Sequence, residues 1–145
     1  MKKALKKFFQ SKFNLILISA GLLLNIAGWL ILHFKLDFHK SLIILHYNSY
    51  LGIDRMIYNS KSAWMEIYLV SFLAAVLLVL NSVLAFFFSY FSFREEENLK
   101  DKGEVLENHL EKDPRTLASK MLIASACALQ IIVLVYTLSI VKVNN

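Results

Sequence analysis

A chain of 145 residues of which 57% are apolar and 13% aromatic has too little polar surface to wrap a soluble globule of its size, so a bilayer has to supply the rest of its surroundings. The formal charge of +5 would suit a nucleic acid, but the basic excess lies in the first twelve residues, interleaved with Phe8 and Phe9, where an anionic leaflet accounts for it and no nucleic-acid partner is needed. A single cysteine, Cys127, excludes both an intramolecular disulfide and a cysteine metal cluster.

Three stretches reach the roughly 20 apolar residues that cross a hydrocarbon core about 30 Å thick: residues 14–32, 64–93 and 117–141. The predicted fold is therefore an all-α membrane protein, a single integral domain over residues 1–145 with three transmembrane helices in a small bundle. A short strand-like or interfacial outer segment (33–63) joins helices one and two, and an inner acidic connector (94–116) joins two and three. The first stretch follows MKKALKKFFQSKF, which has the look of a signal-peptide n-region. It is longer than a usual signal core, and its exit, Trp29 to Lys35, offers no small-x-small cleavage site, so a retained anchor is expected. Eleven of the sixteen Lys and Arg residues lie before the first span, between the second and third, or, as Lys120, at the inner start of the third. By the positive-inside tendency the N-terminus lies inside a cytoplasmic (inner) membrane and the C-terminus outside.

The outer segment reads SLIILHYNSYL from Ser41. Leu42, Ile44, His46, Asn48 and Tyr50 alternate with Ile43, Leu45, Tyr47 and Ser49, which suits an extended segment at the interface. Its backbone groups need partners, because an open edge facing lipid is not tolerated. The choices are its own helices, another copy, or a strand from elsewhere. Gly52 breaks the pattern, and Ile53, Met56 and Ile57 at +3 and +4 predict a short amphipathic turn of helix leading to Trp64. The indoles of Trp29 and Trp64 suit the outer interface. His33, His39 and His46 with Asp37 and Asp54 share this side, but their spacings match no zinc motif, and no metal is expected. His46, Tyr47 and Asp54 would offer only a weak acid/base group. No phosphate loop, nucleophile elbow, metalloprotease motif or catalytic carboxylate pair occurs, so neither catalytic residues nor a cofactor are expected.

The second span ends in Phe86, Phe87, Phe88, Tyr90, Phe91 and Phe93, which suit the inner interface. The acidic stretch from Glu95 to Asp113 follows, with Leu99, Leu106 and Leu110 as a thin apolar stripe broken near Gly103. That reads as a solvated helical hairpin or, alternatively, as a docking surface for a soluble partner. Asp113 is placed to cap the third span, with Pro114 at its first helical position.

Helices in a bilayer associate through small residues and buried polar contacts. In steps of four and three, the spans read Asn14, Ile18, Gly21, Asn25, Gly28, Leu32; Ser71, Ala75, Leu78, Ser82, Ala85, Ser89; and Ser119, Ile123, Ala126, Gln130, Val133, Thr137. These stripes are predicted to face inward in a left-handed bundle. Asn25, Asn81 and Gln130 lie near mid-span, where an unpaired amide is unfavourable, and one polar cluster would satisfy all three. They serve either as structural glue, each contact worth on the order of 1 kcal/mol, or as a narrow polar pathway. No Asp, Glu, Lys or Arg lies deep in a span, so ion coupling lacks its usual carriers.

The stretch His46-Tyr47-Asn48-x-Tyr50-x-Gly52-Ile53-Asp54 resembles the outer segment of a family of small bacterial three-span membrane proteins that carry HYN-x-Y-x-GID between their first two spans. LLLNIAGWL around Asn25, LVLNSVLAF around Asn81 and ALQIIVL around Gln130 fit the same layout. The family pattern continues from GID to Gly-Pro-Trp, whereas here Tyr58 to Ala63 intervene before Trp64, and the acidic connector is longer. The resemblance implies three spans with an outer HYN segment and carries no activity. The expected function is that of a structural or accessory subunit acting by contacts with a protein partner or as a homo-oligomer. The alternatives are a homo-oligomeric pore or transport component and, behind it, a membrane enzyme using His46, Tyr47 or Asp54.

Overall fold

The computed structural model describes residues 1–36, 40–48, 52–58, 61–101 and 113–145. The elements in chain order are α1 (Lys2–Gln10), α2 (Lys12–Lys35), β1 (Leu42–Asn48), β2 (Gly52–Tyr58), α3 (Lys61–Asp101) and α4 (Pro114–Asn144). By length and composition α2, α3 and α4 are each able to cross a membrane. Hydrocarbon leaves a backbone only its own helix to bond with, and none of the three has a proline beyond its first position. At 41 residues α3 is about 60 Å long and outruns the hydrocarbon core. It carries the chain past the predicted end at Phe93 and through the first acids, while Gly103, Leu106 and Leu110 lie outside the described residues.

The stripes read from the sequence are buried or half-buried, Ser71, Leu78 and Ala85 of α3 buried and Ala75, Ser82 and Ser89 half-buried. On α4 all six positions, Ser119, Ile123, Ala126, Gln130, Val133 and Thr137, are buried. On α2 Asn14, Gly21, Gly28 and Leu32 are buried, with Ile18 and Asn25 half-buried. The opposite faces leave Leu23, Phe72, Val79 and Ile132 exposed, as lipid-facing positions are.

The chain divides into two compact units, Met1–Gly21 with Leu77–Ala128, and Leu22–Val76 with Leu129–Asn145, so that each long helix contributes a segment to both. In the first unit α1 is an amphipathic helix that composition alone did not separate from α2. Ala4 and Phe8, one turn apart, are buried, and the lysines lie around them. Ser11 takes the chain out of the helix with an extended conformation, and its carbonyl then accepts the Leu15 amide at 3.0 Å to begin α2. Asn14 donates its side-chain N–H to the Phe8 carbonyl at 3.2 Å, satisfying an orphan group at the end of α1. Phe8 sits with Ala85 and Ile123 in an apolar core, its ring edge-on to Phe86 at 5.7 Å. At the start of α4 the Asp113 carboxylate accepts the Arg115 amide at 2.9 Å, the cap expected from the sequence.

In the second unit β1 and β2 form a two-stranded antiparallel ribbon, Leu42 opposite Tyr58, Ile43 opposite Ile57, and Asn48 opposite Gly52. The register slips between Ile44 and His46 and returns between His46 and Tyr47. Ile43 and Leu45, alternate residues of β1, are buried against Leu32, Leu36, Ile67, Ile140 and Val141. The ribbon corrects the amphipathic turn predicted over residues 53–57. A single helical turn would leave the inner edge of β1 without partners, whereas a strand supplies them. It also answers the question of what β1 pairs with, which is the stretch of the same chain just beyond it.

Candidate functional site

Two places in the second unit gather polar groups among apolar ones. The first lies on α2, α3 and α4. Asn25 donates a side-chain N–H to the Gln130 side-chain oxygen at 2.9 Å and to the Ser71 carbonyl at 3.1 Å. Gln130, fully buried, donates in turn to the Ala74 carbonyl at 2.7 Å. The stepping of four and three residues brings each amide onto the packed face, and the contact ties three helices together at their backbones. Its chemistry is that of an interhelical clasp. Both carbonyls belong to helical residues, so the amides add bonds to groups that the helix already uses. Gly28 completes the face, where a methyl group would meet Thr137 Oγ1 at 3.8 Å.

Asn81, the third amide singled out from the sequence, belongs to the first unit. It is half-buried and makes no side-chain hydrogen bond among the described residues. The structure thus brings Asn25 and Gln130 together.

The second place is the ribbon, held by a residue that sequence reasoning missed. Asn144, 5% exposed, accepts the Ile44 amide on Oδ1 at 2.8 Å and donates from Nδ2 to the Ile44 carbonyl at 2.7 Å. The same Nδ2 donates to the Ile140 carbonyl at 2.8 Å, and Lys40 donates its ammonium to the Asn144 backbone carbonyl. A primary amide offers an N–H and a C=O side by side, as a neighbouring strand does, so Asn144 stands in for a strand along the outer edge of β1. A lone Asn near the end of an apolar helix gives no periodic signal by which this could be read.

The Asn144 contacts fix the ladder. Because both backbone groups of Ile44 point outward, the residue opposite it, Met56, occupies a non-hydrogen-bonded pair and turns its own N–H and C=O away from β1. Among the described residues β2 has no strand on that side. Ile53, Met56 and Tyr58 are 46%, 57% and 76% exposed along it. Arg55 makes an ion pair with Glu66, tying β2 to the start of α3.

Of the HYN segment, the backbones of His46, Tyr47 and Asn48 lie in β1 opposite Arg55, Ile53 and Gly52, and Asp54 lies in β2. The side chains of His46, Tyr47, Asn48 and Asp54, and all of Tyr50, lie outside the described residues. Among the described residues no group of three or more His, Cys, Asp or Glu side chains is placed to hold a metal ion. Comparison with known proteins returns nothing: no family model matches the chain, and no curated protein and no solved structure matches it.

Proposed function

We propose that this chain serves in a membrane as a structural or accessory subunit that grips another protein along the open edge of its ribbon. The observation that carries this reading is an asymmetry. The outer edge of β1 is capped at Ile44 by Asn144, while the outer edge of β2, with the outward backbone groups of Met56 and exposed Ile53, Met56 and Tyr58, has no strand beside it among the described residues. A chain rarely leaves an apolar strand edge bare, and the common way to use one is to add an extended segment of a partner to it. The distribution of Lys and Arg supports an N-terminus in the cytoplasm and a ribbon on the outer side of an inner membrane, where an accessory subunit would meet the extracytoplasmic part of its complex. A pore has less support, since Asn25 and Gln130 spend their hydrogen bonds on each other and on backbone carbonyls within one unit.

Met56→Pro tests it. Proline removes an N–H that points away from β1, so the ribbon itself tolerates it, while an added strand loses its donor. Native mass spectrometry of the gently extracted full chain should show a stoichiometric complex with wild type and the free subunit with Met56→Pro, at an unchanged melting temperature. A complex that survives Met56→Pro refutes strand addition, and a lone wild-type monomer refutes the subunit role.

A further inference from the structure

The first unit contains a partly open cavity of about 120 Å³, lined by residues of α1, α2, α3 and α4. That is far more than the ~10–15 Å³ one water occupies on the same measure. Asn14 lines it, 5% exposed, and its Nδ2 is committed to the Phe8 carbonyl while its Oδ1 is buried with no donor. An amide oxygen stranded in this way is unfavourable, and no side chain among the described residues donates to it.

The rest of the lining has the opposite character. Ser92 and Thr116 share one hydrogen bond at 3.2 Å, and Ser89 shares one with Ser119 at 2.9 Å. The Ser92 hydroxyl gives its proton to the Asp113 carboxylate and accepts that of Thr116, whereas the Ser89–Ser119 pair uses one proton and keeps a second with which to donate. Lys7 lies 2.9 Å from Glu96 and over the Phe93 ring at 4.9 Å, so its charge is already balanced. Lys120 also lines the cavity and makes no ion pair among the described residues. Among the described residues the site therefore presents one uncompensated positive charge, the spare hydroxyl proton of the Ser89–Ser119 pair, and one buried acceptor that wants an O–H.

We propose that this cavity binds the headgroup of an anionic phospholipid, a phosphodiester that also carries a free hydroxyl. The single negative charge of a phosphodiester matches the single unbalanced lysine. Its oxygens accept from the Ser89 hydroxyl and from the Lys120 ammonium, and the headgroup hydroxyl donates to Asn14 Oδ1. An ethanolamine head would bring a second cation among the lysines, and a choline head has no donor. A lipid is favoured over free phosphate because the cavity lies beside the amphipathic α1, whose exposed Leu5 and Phe9 suit a headgroup boundary. The inference is independent of the ribbon and its partner.

Native mass spectrometry of the full chain in detergent, titrated with phosphatidylglycerol, phosphatidylcholine or phosphatidylmethanol of identical acyl chains, tests it. One phosphatidylglycerol should be retained about fivefold more tightly than phosphatidylcholine, and Lys120→Gln should remove that preference while Lys142→Gln, at an exposed lysine of the other unit, keeps it. Phosphatidylmethanol has the charge without the hydroxyl and should bind about fivefold more weakly than phosphatidylglycerol to wild type. Asn14→Ala should abolish that difference. Equal retention of phosphatidylglycerol and phosphatidylcholine, or equal behaviour of Lys120→Gln and Lys142→Gln, overturns the proposal. Equal binding of phosphatidylglycerol and phosphatidylmethanol overturns the Asn14 contact, and inorganic phosphate displacing bound phosphatidylglycerol at millimolar concentration overturns the lipid as the source.

Discussion

The clasp between Asn25 and Gln130 makes a quantitative claim that a double-mutant cycle can read. Asn25→Leu removes two hydrogen bonds, to Gln130 and to the Ser71 carbonyl, and Gln130→Leu removes two, to Asn25 and to the Ala74 carbonyl. The double variant loses three, because the bond between the amides is shared. The two single effects therefore exceed the double effect by one hydrogen bond and by whatever it costs to leave one amide buried without its partner. Hydrogen bonds between membrane helices average about 0.6 kcal/mol and reach about 1.7, and an abandoned buried partner adds about 1 kcal/mol or more. Each single variant should lose about 1–3 kcal/mol, with a coupling of about 1–2 kcal/mol. Reversible unfolding in mixed micelles, followed by far-UV circular dichroism against denaturant fraction, measures all four corners. Additivity within about 0.3 kcal/mol would refute the clasp as a direct contact. Asn81→Leu, at a half-buried amide with no hydrogen bond to lose among the described residues, should cost less than either single variant.

Gly28→Ala should leave the fold intact and raise its stability by up to about 1 kcal/mol, because a methyl group there meets Thr137 and Leu134 at ordinary contact distances of 3.8 and 4.0 Å; a fall in melting temperature would show a tighter helix contact. Asn144→Ala should free the Ile44 amide, whose loss of about 2 kcal/mol of protection corresponds to roughly thirtyfold faster hydrogen exchange. Unchanged exchange at Ile44 would remove Asn144 from its strand-like role. Partial burial pushes the Asp113 carboxyl up, but hydrogen bonds from Ser92 and the Arg115 amide, together with the Arg115 charge, outweigh it and leave the group below its ordinary value of 3.8. A carboxylate lowered by folding stabilises the protein above its unfolded value and loses that contribution as pH falls below 3.8 and through the folded value. Wild type should therefore lose melting temperature below about pH 4 more steeply than Asp113→Asn, which keeps the cap but not the charge; parallel acid limbs would exclude Asp113 as the cause.

The spans and their packed faces were legible because a helix repeats. Small and polar residues at alternating steps of four and three identify a face whatever lies opposite, and so Ser119, Gly28 and Gln130 are buried where the pattern placed them. The Asp113-Pro114 start of α4 was legible for the same kind of reason, since a cap depends on only three or four neighbouring residues. What escaped was non-local. Lys7 finds Glu96 across 89 residues, and Asn144 finds Ile44 across 100; neither bond leaves a mark in the neighbourhood of either partner.

The stretch GIDRMIY shows where periodicity itself stops deciding. Over seven residues the spacing of Ile53, Met56 and Ile57 suits a turn of helix, while Ile53, Arg55 and Ile57 suit the face of a strand, and the β-branched residues favour the second only weakly. A larger energy decides between them. The segment leaves Ile43 and Leu45 buried against helices, so β1 is committed to an extended conformation with its N–H and C=O groups in a place where water is scarce. Each group left unpaired there would be unfavourable by about 1–3 kcal/mol, several times the difference in local propensity. Asn144 can answer one residue on one edge; only a second strand can answer the other edge along its length. The same reasoning then turns on β2, whose outward groups at Met56 inherit the problem that β1 has lost. The ribbon transfers the unmet edge from β1 to the outward side of β2, where Met56 and Tyr58 are exposed.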